Sequence, residues 1–434
     1  MVLFLPLSLP AEEKTEKLVL GLEECLQRAL QSNEELKAND YDKEIAEQKL
    51  RELHKIGYPI VDYEYTLAPA PRDADNAVKS FFSGDITVFN KVKIGVGTPL
   101  TTFGKLDIGQ GLARKGVEAE KLKRVQKKSE LVLKVKQLYY GIILSYEFDR
   151  LLESATQRVR KEINKREGEE EGTDPSELLK LKLFRHELEK RAEESEKKRM
   201  LAREALKIQM GLDRSVSLEL KESHLKALPK SLKNFDYYQD QAAKNRPELK
   251  LIDLGVQSKE DLYRLEKRKL APNLGLGAFF EMGRAPGVTG VQATDDFNNP
   301  FNFTRAGIGL QLQGQFDFHG QSAKAHQARS DLRKTEVQRT LAQKGIALDV
   351  QEAYLDAQTA WSAVERAEEA GRLSRQLLFL TQSSFDIGVG ESKDLVEAVQ
   401  SFLTTRGQYF EAVYNFNVAL AKLDQKRGKD PDEE

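Results

Sequence analysis

The sequence predicts an α+β fold built from one unit used twice, each copy a long coiled-coil helical hairpin with two membrane-barrel strands near its open end. Three observations carry this prediction. The chain repeats itself at a fixed spacing, its helical stretches run far beyond what a compact domain needs, and its strand-like stretches alternate in polarity over bilayer-spanning lengths.

The repeat is read first. Asn33-Glu34-Glu35-Leu36-Lys37 opens a charged helical stretch that ends at Tyr58-Pro59, and Arg246-Pro247-Glu248-Leu249-Lys250 opens another that ends at Ala271-Pro272. Leu36 and Leu249, and likewise Pro59 and Pro272, stand 213 residues apart. Each Pro is followed by a strand-like run, a loop, a second strand-like run and a very long helical pattern. The division that follows is an N-terminal arm or signal remnant (1–19), a first repeat (20–211), an inter-repeat segment without a readable motif (212–244), a second repeat (245–426) and a tail (427–434). Met1 to Pro10 is apolar and is followed by Ala11-Glu12-Glu13, which matches the apolar part and cleavage side of a secretory signal without its basic leader.

Four strands are expected. Val61, Tyr63, Tyr65 and Leu67 share one face of the first, opposite Asp62, Glu64 and Thr66; in the second, Val92, Ile94 and Val96 oppose Lys91, Lys93 and two glycines. In the third, Leu274, Leu276, Ala278, Phe280 and Met282 oppose Asn273, Gly275, Gly277 and Glu281. In the fourth, Ala306, Ile308, Leu310 and Leu312 oppose Arg305, Gly307, Gly309, Gln311 and Gln313. Each approaches the ~9–11 residues that cross a bilayer as a tilted strand. Polar faces mixing charge, amide and glycine suit a watery lumen, so Tyr63, Tyr65, Ile94, Leu276, Ile308 and Leu310 are expected to face lipid. Phe81, Phe82, Phe89, Phe297, Phe301 and Phe303 gather at strand ends or in the joining loops, where an interfacial aromatic girdle would sit. Four strands cannot close a membrane barrel, and an open edge in lipid leaves backbone groups unsatisfied. Copies of the chain must therefore share one barrel, two supplying eight strands and three supplying twelve.

The helices follow. In the first, Val132, Val135, Tyr139, Ile142 and Tyr146 recur at coiled-coil spacing; in the second, Val350, Ala353, Ala357, Ala360, Val364 and Ala367 do so. About 60 residues at 1.5 Å rise give a rod on the order of 90 Å. The first rod turns back through Gly168, Gly172 and Asp174-Pro175-Ser176-Glu177, a helix start with Asp at the cap and Pro at the first position. The second turns at Phe385-Asp386-Ile387-Gly388-Val389-Gly390, and a new helix begins near Ser392. Returning helices run to about Met210 and about Lys426.

Composition bounds the chemistry. With 434 residues, 32% charged, and mean hydropathy of −0.55, the chain suits long solvated helices better than a thick core. Net charge is −1, so no global field favours nucleic acid, and the basic run from Lys115 to Lys136 is interleaved with Glu118, Glu120 and Glu130. One cysteine, Cys25, excludes an intrachain disulfide or a Cys-based metal cluster. His54, His186, His224, His319 and His326 show no metal-ligand spacing, and no phosphate-binding loop occurs. No catalytic residue, metal or cofactor is expected, and any energy for transport must come from a partner.

Taken in order, the openings Ser32-Asn33-Glu34-Glu35-Leu36 and Arg246-Pro247-Glu248-Leu249, the strand-to-helix joints at Phe103-Gly104 and His319-Gly320, and the turn Phe385-Asp386-Ile387-Gly388 followed by Asp394-Leu395-Val396-Glu397-Ala398 resemble the TolC-like outer-membrane efflux proteins. The resemblance covers about Leu22 to Gln425. It implies a homotrimer whose four strands per chain form one twelve-stranded barrel in the outer membrane of a Gram-negative bacterium, with a periplasmic helical tunnel. It also implies an exit duct for efflux or type I secretion, docked through a periplasmic adaptor onto an inner-membrane pump. The family's tunnel narrows at the far helical turns, where acidic residues form rings; the match places Asp394 and Glu397 there. Three apart on a helix they share a face, and two readings stand open: rings of carboxylates across an aperture, or ordinary first-turn acids stabilised by the helix dipole. A Tyr and an Arg that latch the aperture in well-known members fall on Phe385 and Gly390, which cannot make such side-chain hydrogen bonds. In the first turn, shorter and rich in Glu (Glu167, Glu169, Glu170, Glu171), the counterpart of Asp394 is Glu177. Two alternatives are a soluble coiled-coil scaffold and a periplasmic adaptor; the adaptor needs a single hairpin flanked by compact β-domains, whereas this chain has two hairpins.

Overall fold

The computed structural model describes residues 17–168, 175–290, 299–387 and 389–433. The N-terminal apolar arm up to residue 16, the capping Asp174 with Gly172 and the three glutamates at 169–171, Phe297, and Gly388 all lie outside the described residues. The duplication is visible element by element. Helix α1 (Leu22–Ser32) and α6 (Phe235–Asn245) have 11 residues each, and α2 (Glu34–Lys55) and α7 (Pro247–Arg268) have 22 each. Strands β2 (Ile60–Pro71) and β5 (Asn273–Arg284) have 12 residues each, and all three pairs start 213 residues apart (22 to 235, 34 to 247, 60 to 273). Strands β3 (Ile86–Thr101) and β6 (Phe303–Gln313) lead into the long helices α4 (Lys105–Glu167) and α8 (Phe318–Asp386), which return as α5 (Pro175–Gln209) and α9 (Ser392–Lys426). Two short strands, β1 (Lys17–Leu20) and β4 (Ser217–Leu220), pair in parallel.

The chain divides into two compact units, and each draws on both repeats. One comprises Asp42–Glu120 and Ile252–Arg339. Its centre is a four-stranded antiparallel sheet in the order β2-β3-β5-β6, so the two hairpins of the repeats join through β3 and β5. The helical stretches in this unit are held by polar clamps. Lys115 Nζ lies 2.5 Å from Asp261 Oδ2, Arg339 Nε 2.6 Å from Asp253 Oδ1, and Gln321 Nε2 donates to the Glu266 carbonyl at 2.6 Å. At the joint from β3 to α4 the chain must reverse sharply. Phe103 (φ 52°) and Gly104 (φ 79°) take left-handed conformations there, while Thr102 Oγ1 accepts the Leu106 N–H at 3.0 Å. At the second joint Asp317 Oδ1 accepts the Gly320 N–H at 2.8 Å.

The other unit comprises the described residues of Met1–Tyr41, Lys121–Leu251 and Thr340–Glu434. The predicted seams are its core. Val135, Tyr139 and Ile142 of α4 are buried with Val413 and Phe416 of α9, and Val350, Ala353 and Ala357 of α8 are buried beside Ala419 and Leu423. Large side chains fill the first seam and alanines the second, which lets α8 approach its neighbours closely. Cys25 is fully buried in the same core. Burial, reinforced by the charges of Glu24 and Glu222, pushes its thiol up to about 12, so it packs as a small apolar side chain.

The segment 212–244, opaque in sequence, acquires a role here. After β4 it is strapped across the helices by two buried side chains. Glu147 of α4 accepts the Leu225 N–H at 2.9 Å and pairs with Arg150 at 2.8 Å. Asn417 of α9 accepts the Leu228 N–H at 3.0 Å and donates to the Lys226 carbonyl at 2.9 Å. The segment then enters α6, the counterpart of α1. Removing one partner of a buried hydrogen bond costs about 1–3 kcal/mol. Glu147→Ala should therefore loosen residues 221–228 and open them to limited proteolysis while circular dichroism holds its helical signal. An unchanged cleavage pattern would show that the strap does not depend on this carboxylate.

Candidate functional site

Register decides which side chains share a face of the four-stranded sheet. Tyr63 is opposite Ile94, Ile94 opposite Phe280, and Phe280 opposite Ala306. The next row is Val61, Val96, Ala278 and Ile308; beyond it Leu276 stands directly opposite Leu310, and on the other side Tyr65 stands opposite Val92. The six side chains expected to meet lipid (Tyr63, Tyr65, Ile94, Leu276, Ile308 and Leu310) thus lie on one face. That face is uncovered within the chain: Tyr63 is 87% exposed, Ile308 77% and Leu310 67%. Among the described residues the outer strands β2 and β6 each have one strand neighbour.

The opposite face carries charge and space. One cross-strand row reads Glu64, Lys93, Glu281 and Arg305, and the next begins with Thr66 and Lys91. Lys91 Nζ lies 3.4 Å from Glu64 Oε1 and 3.4 Å from Glu281 Oε1, bridging carboxylates from the strands on either side. Gly95, Gly97, Gly275, Gly277, Gly307 and Gly309 leave the rest of the face nearly bare. Asp62 and Ile60 of β2, Gln311 of β6 and Phe279 of β5 stand among them; a Cβ at Gly307 would meet the Phe279 ring at 2.8 Å, so the glycine makes room for it. Among the described residues no helix is long and apolar enough to cross a membrane.

The expected aromatic girdle is corrected in part. Phe89 and Phe303 belong to the face of Lys91 and Arg305, not to the apolar face, because they share those residues' parity along their strands. They close over Gly283, where a Cβ would sit 2.6 Å from the Phe303 ring, and Phe89 meets Phe301 edge-on at 6.0 Å. Phe81 and Phe82 stay exposed on the short helix α3 (Ala77–Ser83), inserted between β2 and β3. Arg284 is the one charged strand residue on the apolar side, at its loop end, where it donates to the Phe303 carbonyl at 2.7 Å.

The hairpin turns gather a second set. Phe385 is buried, and the Arg166 guanidinium lies over its ring, 4.7 Å from the centroid. Arg166 also pairs with Glu177 of α5 and with Glu162 one turn back, at 3.5 Å. The two turns are therefore joined through Arg166, a residue that sequence reasoning did not single out; a basic residue in a last helical turn is too common to signal a role. Gly390 is compact for a steric reason. A Cβ there would lie 3.0 Å from the Phe385 nitrogen, in a turn where Val389 and Gly390 both donate to the Ser384 carbonyl at 3.1 and 3.0 Å. Asp394 and Glu397 are not drawn into this cluster. Both are exposed in the first turns of α9, and Glu397 Oε1 lies 3.9 Å from Lys393 Nζ.

Comparison with known proteins gives this geometry a context. A family model described as outer membrane efflux protein matches residues 239–429. No curated protein sequence matches the chain. Among solved structures, the CmeC outer membrane channel of Campylobacter jejuni is 16% identical, with 97% of this chain and 90% of that one covered at a TM-score of 0.76. The outer membrane protein VceC of Vibrio cholerae is 14% identical, with 94% and 96% covered at 0.74. The open state of the Neisseria gonorrhoeae MtrE outer membrane channel is 16% identical, with 94% and 88% covered at 0.72. Residues 239–429 thus match the outer membrane efflux protein model, and the chain as a whole shares the fold of these outer membrane channels.

Proposed function

We propose that the chain is one third of an outer-membrane exit duct. Three copies close a twelve-stranded barrel, and their helical hairpins continue it as a periplasmic tunnel. The duct is a passive conduit of a tripartite efflux or type I secretion system, served by a periplasmic adaptor and an inner-membrane pump. The observation that carries this reading is the sheet: four antiparallel strands with one continuous uncovered apolar face, a charged and glycine-rich opposite face, and two unpaired edges. In lipid such edges must be paired, and identical copies can pair them in a ring. A soluble scaffold or adaptor would have to cover the apolar face by other means, and among the described residues nothing packs there.

Mass measurement in detergent should give three chains per particle. A monodisperse monomer without detergent would end the barrel reading.

Arg in place of Ile308 should cost roughly 2–4 kcal/mol if that position lies near mid-bilayer. Gln311→Arg, on the opposite face of the same strand, should be tolerated. Equal tolerance in refolding titrations into lipid would mean that the faces have been exchanged.

The exposed acids Asp394 and Glu397 are the candidates for rings at the narrow end of the tunnel, where threefold symmetry would concentrate negative potential. Asp394→Asn with Glu397→Gln should lower cation selectivity and block by multivalent cations in bilayer recordings. Unchanged selectivity would place them on the outer surface of the tunnel.

A further inference from the structure

The charged face of the sheet is balanced residue for residue. The four strands carry seven charged side chains, and six of them share this face: Asp62, Glu64 and Glu281 against Lys91, Lys93 and Arg305. The balance is spatial as well as arithmetic. Glu64 and Glu281 stand in one row on either side of β3, and the Lys91 ammonium reaches both from the adjoining row at 3.4 Å. Beyond this band the face is largely glycine, so no other side-chain charge within the strands offsets or adds to it.

We propose that this ladder makes the lumen of the barrel indifferent to the charge of its cargo, and that Lys91 is the residue on which the neutrality turns. The proposal rests on the conduit reading and deepens it by naming the cargo class the barrel section admits: cations, anions and zwitterions alike. In a wide, water-filled barrel of low-dielectric wall, a ring of uncompensated charge sets the local ion concentrations. Removing Lys91 takes away the ammonium that reaches both Glu64 and Glu281, leaving Lys93 alone between them in register, with one net negative charge per chain and three in a ring of three. Neutralising both glutamates instead leaves two net positive charges per chain. At about 0.01 M salt the screening length is about 30 Å, long enough for such rings to be felt across the lumen.

The test uses the full-length protein in proteoliposomes. Its one native thiol, Cys25, is fully buried, so Thr66→Cys, directly opposite Lys91, introduces a single reactive probe. The rates of its modification by a cationic and an anionic methanethiosulfonate reagent are compared at low salt, each relative to free cysteine. With the ladder intact the two relative rates should agree. Lys91→Gln should raise the cation-to-anion ratio several-fold, and Glu64→Gln with Glu281→Gln should lower it. The exchange of Lys91→Glu with Glu281→Lys should bring it back. Ratios indifferent to all of these variants would overturn the ladder proposal while leaving the conduit intact. Modification of Ile308→Cys but not of Thr66→Cys would mean that the faces are reversed, which would overturn the conduit reading as well.

Discussion

A row of backbone N–H and C=O groups on β2 and another on β6 have no strand to bond to among the described residues, and the rest of the design answers to this. A sheet with one apolar and one charged face, unpaired at both edges, has no stable state as a solitary element in either water or lipid. The alternation of its side chains, the glycines of its charged face and the polar clamps around it all suit a surface completed by other copies. The helical hairpins present a different economy, in which alanine and valine seams permit close packing and long charged side chains keep the remaining faces solvated.

Much of this was legible in the sequence because it is periodic. The spacing of 213 residues reappears in the starts of three pairs of elements, and the seams through Val135, Tyr139 and Ile142 and through Val350, Ala353 and Ala357 are buried as their periodicity requires. What was not legible lacks a period. The strap between the repeats is fixed by Glu147 and Asn417, side chains about 80 and 190 residues from their backbone partners. Helix α6 hides in the same segment because little besides Ala242, standing where Ala29 stands in α1, survives of the repeat. Phe89 and Phe303 were misplaced for another reason. Their position near strand ends suggested an interfacial belt, whereas their parity with Lys91 and Arg305, also present in the sequence, puts them on the other face.

The two turns are held together by stacking and charge. Phe385 cannot form the hydrogen bonds of a Tyr, yet its ring receives the Arg166 guanidinium, and that cation in turn holds Glu177 at the start of α5. The contact joins a turn of the first hairpin to a turn of the second through stacking and charge. Its strength depends on desolvation of the ring more than on a fixed donor angle, so it tolerates small rotations that would break a directional bond.

The joint between β3 and β5 carries a consequence for biogenesis. Within each repeat the paired strands are neighbours in sequence, so β2 can meet β3, and β5 can meet β6, soon after synthesis. The central pairing sets Val96 against Ala278, which are separated by the whole first helical hairpin, the strap, α6 and α7. Contacts of such separation form slowly, since a long loop must close before they return any energy. During that interval the first β-hairpin exposes its apolar face and both of its edges. A nascent chain in this state is a ready client for holdase chaperones, and its vulnerable period is set by the time needed to complete the second half.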